Sequence, residues 1–185
     1  RMYLKHLVTI IFLLKFFDWK YLYKKEFNSQ GHSPAGGCLL SICTEYRVIR
    51  PKLVIGLNET QLGMVPTDWI RDIYVNVLPV RIAEMALTQG KLFSSEEALQ
   101  VGLVDSIVAT PEEGYAKCLE FFDSFKGVHP LARAMTKNKF ISKIVQSFEE
   151  NRDKDLDEFV QFYTKPEVQQ VLSNYVNSLK LRKKN

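Results

Sequence analysis

The sequence is short of the features that would place it among disulfide-stapled, metal-built or membrane-spanning proteins. It has three cysteines in 185 residues, at positions 38, 43 and 118, with no CxxC pair and no histidine at ligand spacing. Neither a disulfide framework nor a metal site is expected, and the thiols read as reduced and partly buried in an intracellular protein. No apolar stretch approaches the roughly 20 residues needed to cross a bilayer. The strongest run, Leu7 to Leu14, has the length of a signal-peptide core, but no small-x-small cleavage site follows it. It reads first as a buried strand or helix and second as a membrane or targeting segment. Charge is nearly balanced, at +4 overall. Only Lys180 to Asn185 is densely basic, and it reads as a solvated helix end, so no nucleic-acid partner is expected. Internal repeats and low-complexity linkers are missing too, as are a G-x-S-x-G elbow and a phosphate loop ending in Gly-Lys-Ser/Thr. The Lys-Lys-Asn terminus is no peroxisomal address.

What is present suits one globular domain with a real core: 46% apolar and 25% charged residues, enough chain to bury most of its apolar surface. Periodicity predicts a helix over 38–44, then strands over 45–49 and 53–56 broken by Arg50-Pro51. A helix start is predicted at Pro66–Trp69. A helix is expected over Val80 to Gln89, stopped by Gly90, and a short one begins behind the N-cap Ser94 and ends at Gly102. Leu103 to Val108 is strand-like. From Pro111 the pattern is helical, over 111–126, 130–163 with an interruption, and 166–183. The aromatics Phe121, Phe122, Phe159, Phe162 and Tyr163 on these helices suit either another subunit or the chain's own core.

Two segments carry chemistry. Gly31-His32-Ser33-Pro34-Ala35-Gly36-Gly37-Cys38-Leu39 is a glycine turn running into an apolar helix. Such a turn lets a ligand oxygen approach unpaired backbone N–H groups, which can hold a developing negative charge. Downstream, Gly56-Leu57-Asn58-Glu59-Thr60-Gln61-Leu62-Gly63 places a single carboxylate, Glu59, in a Gly-bounded stretch. A donor for an oxyanion and one carboxylate are the minimum for moving a proton next to a carbonyl. On its own Glu59 would read as a solvated loop acid. Asn58 reads equally as a turn former or as a group lining a pocket. His32, without a partner acid, reads as a turn residue.

These two segments, with YRV at 46–48 and RIAEMALTQGKLFSSEEALQVGLVDSIV at 81–108, resemble the crotonase (enoyl-CoA hydratase/isomerase) superfamily. The resemblance covers about Gly31 to Leu181, and residues 1–30 do not fit. It implies an α/β fold, a ClpP-like spiral of ββα repeats followed by a helical C-terminal region. The chain then divides into an unmatched segment 1–30, a crotonase-like core 31–110 and a helical region 111–185. The substrate implied is a fatty acyl-CoA, with coenzyme A part of the substrate and no separate cofactor. A homo-oligomer (a trimer), no membrane span and the mitochondrial matrix are implied as well. By the same resemblance Gly36 donates its N–H to the thioester oxygen, Glu59 is the base, expected among Leu57, Leu62 and Met64, and Asn58 lines the acyl pocket. Hydratases of the superfamily carry a second carboxylate just after the Gly-Gly-Cys turn. Leu39 occupies that place, which implies an isomerase that moves one proton from C2 to C4 of a 3-enoyl-CoA. In the resembling family a segment before the turn supplies a second N–H donor and adenine contacts. The chain is accordingly expected to be a truncated or alternatively spliced product, and the alternative is a non-catalytic fragment that binds acyl-CoA weakly or joins oligomers.

Overall fold

The computed structural model describes residues 26–182, with side chains to residue 178. The apolar run Leu7 to Leu14 lies outside the described residues. The chain enters at β1 (Glu26–Ser29) and β2 (Ser33–Pro34), turns into helix α1 (Gly36–Ile42), and returns as β3 (Tyr46–Ile49) and β4 (Val54–Gly56). Each passage gives one strand to each of two small sheets. The first sheet has the order β1-β3-β6, where β6 is Ser106–Ile107, with all strands parallel. The second has the order β2-β4-β5, where β5 is Phe93–Ser94; β2 and β4 are parallel and β5 runs antiparallel to β4. This is the ββα winding, in an α/β fold. It leaves no trace as an internal repeat because the strands are only two to four residues long and share no side-chain pattern. Strand β1 falls in the segment the resemblance left unmatched, yet it pairs with β3 from Glu26↔Tyr46 to Ser29↔Ile49.

A 3-10 turn (Glu59–Leu62) follows β4, then α2 (Asp68–Val77), α3 (Val80–Gln89) and α4 (Ser95–Val101). Helix α3 has the bounds its periodicity predicts, because Gly90 takes the left-handed conformation (φ 60°) and its N–H closes on the last carbonyls. Helix α4 opens with a full capping box, Ser94 and Glu97 each bonding the other's backbone N–H. The strand expected over 103–108 shrinks to Ser106–Ile107. The N–H groups of Leu103 and Val104 are taken up by the Ala98 carbonyl at 2.8 and 3.2 Å, capping α4 rather than extending a ladder.

The rest is helical: α5 (Pro111–Asp123), α6 (Pro130–Tyr163) and α7 (Pro166–Arg182). Helix α6 runs without the interruption expected for it. After Pro130 it holds no proline or glycine, so nothing in its backbone breaks it. Two of its aromatics, Phe159 and Tyr163, are buried in this chain and stacked at 3.8 Å, and Phe121 of α5 stacks on Tyr46 at 4.7 Å.

The main core lies between α1, β4, α2 and α3, where Cys38, Ile55, Leu57, Tyr74 and Ala83 are almost inaccessible to solvent. Burial of each large side chain there is worth about 1.5–3 kcal/mol. Helix α6 is tied onto this core at two points. Near its start, the carboxylate of Glu45 (side chain 6% exposed) accepts from Arg133 at 2.9 Å and also from Lys137. At its middle, Phe148 meets Trp69 of α2 edge-to-face at 5.2 Å. That docking brings a helical wall over the strand ends.

Candidate active site

The parallel register of β2 and β4 creates the site. Ser33 pairs with Ile55 and Pro34 with Gly56. The residues that follow, Ala35-Gly36 on one side and Leu57-Asn58-Glu59 on the other, therefore leave neighbouring carboxyl ends of parallel strands, where α/β folds characteristically bind ligands. The two segments are bonded directly, the N–H of Ala35 donating to the carbonyl of Gly56 at 2.8 Å. His32 helps from the edge as a structural acceptor, its Nδ1 taking the N–H of Val54 at 3.1 Å. That is the turn role its sequence context suggests.

Ala35 has φ 50° and ψ −117°, a conformation that costs an L-residue about 1–2 kcal/mol. This sets the peptide plane between Ala35 and Gly36, and with it the direction of the Gly36 N–H. As the first residue of α1, Gly36 has no acceptor within the helix, and no side chain caps that end. Apart from its chain neighbours and the backbone of its own helix, no atom of the described residues lies within 4 Å of where a Gly36 side chain would begin, so a ligand atom can come close. We predict that Ala35→Gly folds with stability within about 1 kcal/mol of the parent, relief of strain offsetting the added freedom of the unfolded chain. Ala35→Val should lose about 2 kcal/mol or more, because a β-branched residue resists positive φ. Urea unfolding of both variants checks this, and a harmless valine would show that the turn is not strained.

Glu59 is the first residue of the 3-10 turn, not a loop acid. Its Oε2 is buried with no hydrogen-bond partner among the described residues. Burial, slightly offset by its own backbone amide, pushes its carboxyl above the usual carboxylate range. The phenols of Tyr74 and Tyr163 are likewise pushed up, chiefly by burial and in part by the Glu59 charge. Of the residues expected around Glu59, Met64 lines the same pocket. Leu57 is buried in the main core, and Leu62 packs on a second cluster of Met64, Phe159, Tyr163 and Val168.

Gly36, Leu39 and Glu59 together border an apolar cavity of about 120 Å³. An engineered cavity of about 150 Å³ takes up benzene, so this one holds a short run of carbons and leaves a bulky carrier outside. Leu39, 5% exposed, presents only hydrocarbon where a second acid would orient water. Asn58 is buried, its carbonyl accepting from the Gln61 N–H at 3.1 Å and starting the 3-10 turn. It is not among the residues bordering the cavity.

Sequence reasoning missed the opposite wall. Phe148, Arg152, Asp155, Leu156, Phe159 and Tyr163 of α6 border the cavity with Trp69 of α2 and Thr67 just before it. Positions 148, 152, 156, 159 and 163 recur at helical spacing, so they share one face. That face was readable; its destination was not. Among the described residues, no group of His, Cys, Asp and Glu is arranged to hold a metal ion. No described helix is long and apolar enough to cross a membrane.

Two sheets wound as ββα units, with a backbone donor and a carboxyl at adjacent strand ends, define a crotonase-type fold. Residues 28–184 match the enoyl-CoA hydratase/isomerase family, and the chain belongs to it. Among individual proteins it is similar to mitochondrial enoyl-CoA delta isomerase 1 of Mus musculus, with 40% identity over 156 residues, 83% of this chain and 53% of the relative. The Homo sapiens protein of the same name is 38% identical over 83% of this chain and 51% of its own length. The chain thus spans about half the length of the curated relatives it matches. The crystal structure of human mitochondrial delta3-delta2-enoyl-CoA isomerase superposes with a TM-score of 0.80 at 36% identity, covering 89% of this chain and 66% of that one.

Proposed function

We propose that this chain isomerises a 3-enoyl-CoA to the 2-trans-enoyl-CoA, as in the β-oxidation of unsaturated fatty acids, with Glu59 as a single base. The carboxylate of Glu59 takes a proton from C2, and the electron pair spreads through the C3–C4 double bond and onto the thioester oxygen. The Gly36 N–H stabilises that oxygen, a donor of this kind being worth about 2.7–4 kcal/mol in the transition state. Glu59 then returns the proton to C4. The one observation that carries the reading is the unpartnered, buried Oε2 of Glu59 in an apolar cavity bordered by Gly36 and closed by Leu39. A carboxylate kept free of partners keeps its basicity, and a leucine beside it offers a water molecule nothing. Catalysis is favoured over a fragment that only binds because donor, base and cavity are assembled together in this chain.

Asp155 is the cavity's other carboxyl. It is carried by α6, burial and the charges of Asp68 and Glu158 push its carboxyl up, and it does not lie on the segment that follows β4 as Glu59 does. Coenzyme A enters as part of the substrate, and the chain works without a further cofactor. Assembly as a homo-oligomer, a trimer by family likeness, and a mitochondrial location follow the same reading.

Steady-state isomerisation of a 3-enoyl-CoA across pH tests the assignment. Glu59 acts ionised and its pKa is raised, so kcat/KM should climb with pH along a limb displaced above the ordinary carboxylate range. A limb at the ordinary carboxylate position, or no turnover at any pH, would refute it.

A further inference from the structure

The helical wall of the cavity holds polar atoms that the proposed reaction does not use. Thr67 stands at the N-cap of α2, where a threonine hydroxyl ordinarily accepts from a first-turn N–H. Here it caps nothing, and its Oγ1 is buried without a hydrogen-bond partner among the described residues. Arg152, on α6, has its Nε buried and equally unpartnered. Its guanidinium lies over the Phe148 ring at 5.2 Å, and Phe148 packs on Trp69, two residues beyond Thr67. Thr67, Arg152 and Asp155 all border the same cavity as Glu59. Buried donors left unmade are costly, and native structures rarely leave them so without a ligand or water to meet them.

We propose that this wall recognises a hydroxyl group on the acyl chain beyond the reacting carbons, making hydroxylated 3-enoyl thioesters preferred substrates; this rests on the isomerase reading above. A hydroxyl oxygen accepts from the Nε–H of Arg152 or the hydroxyl of Thr67, and its hydrogen can go to Asp155. A chain ending in a carboxylate fits worse. The cavity already holds Glu59 and Asp155 against one guanidinium, with Asp68 close enough to Asp155 to act on it. Another anion would meet repulsion in a poorly solvated space.

The test compares 3-enoyl-CoA substrates of one chain length bearing a hydrogen, a hydroxyl at successive positions beyond C4, or a terminal carboxylate, with the whole chain as enzyme. The best hydroxylated substrate should exceed the plain one about tenfold in kcat/KM, the size expected for one hydrogen bond to a charged donor. That ratio should fall to near one in Arg152→Met and shrink in Thr67→Val, whatever happens to the absolute rates. Quenching of tryptophan fluorescence by the same thioesters, read in a Trp19→Phe background so that Trp69 alone reports, gives the ratio as binding, independently of turnover. Binding selectivity without any isomerisation would sink the isomerase reading, and with it the claim of preferred substrates, and keep only the recognition of the hydroxyl by this wall. Equal handling of plain and hydroxylated chains, preference for the carboxylate, or a ratio unmoved in both variants would overturn it.

Discussion

Glu59→Gln should lower turnover of a 3-enoyl-CoA by about 10²–10⁴-fold, the usual share of a positioned general base, while the protein remains folded. The amide keeps the shape of the side chain and removes its basicity. The effect on stability has a definite sign. The folded-state pKa of Glu59 is raised by burial, so the stability associated with its protonated form is complete below the unfolded-state pKa. It is lost as pH rises through the folded value. At neutral pH the buried carboxylate is therefore a cost that glutamine does not carry. The variant should melt at or above the parent's temperature at pH 7 and show no such advantage near pH 4. This is the trade between function and stability expected at a site kept unsatisfied for chemistry. Asp155→Asn, at the cavity's other carboxyl, should retain most of the turnover. Near-parental activity in Glu59→Gln, or a collapse confined to Asp155→Asn, would move the base to α6.

The second large effect is structural and lies at Gly56. A side chain there would begin 2.3 Å from the backbone carbonyl oxygen of Lys91 and 3.1 Å from the Cα of Leu92, and backbone on both sides leaves nothing flexible to yield. Gly56 also accepts the Ala35 N–H and leads directly into Leu57, Asn58 and Glu59. Gly56→Ala should cost about 3 kcal/mol, a fall in melting temperature of about 10 °C for a chain of this size. It should also reduce turnover about 100-fold in whatever remains folded, because the base moves relative to the donor turn. Gly31→Ala is the control: among the described residues nothing beyond its chain neighbours lies within 4 Å of its would-be side chain, and it should change stability by less than about 0.5 kcal/mol. Thermal melts and kcat of the two variants, side by side, decide the matter. If Gly56→Ala melts with the control, the sheet edge is softer than its contacts imply.

Much of this was legible because local chemistry decided it. The bounds of α3 and α4 follow from Gly90, Ser94, Glu97 and Gly102, residues whose backbone preferences and caps act within one turn. The glycine turn at 35–37 and the single acid at 59 pointed to proton transfer beside a carbonyl, because few residue sets can serve an oxyanion. Where the sequence misled, a neighbour prevailed: Ala98 captured the N–H groups of Leu103 and Val104, and α6 ran on past its expected break for want of any breaker.

By itself, then, the sequence determined the bounds of α3 and α4, the glycine turn before α1, the lone acid at Glu59 and the leucine at position 39. Only the tertiary structure decided that Gly36 and Glu59, 23 residues apart, share one edge, since that depends on the β2–β4 register. It also decided that Asn58 is buried and that the far wall of the cavity comes from α6, where the Nε of Arg152, like the Oγ1 of Thr67 at the start of α2, has no partner among the described residues. Residue type fixes what a group can do within its own turn of chain. Which groups meet across long separations is set by packing, through contacts such as Trp69 on Phe148 and Glu45 with Arg133, and no local pattern encodes those partners.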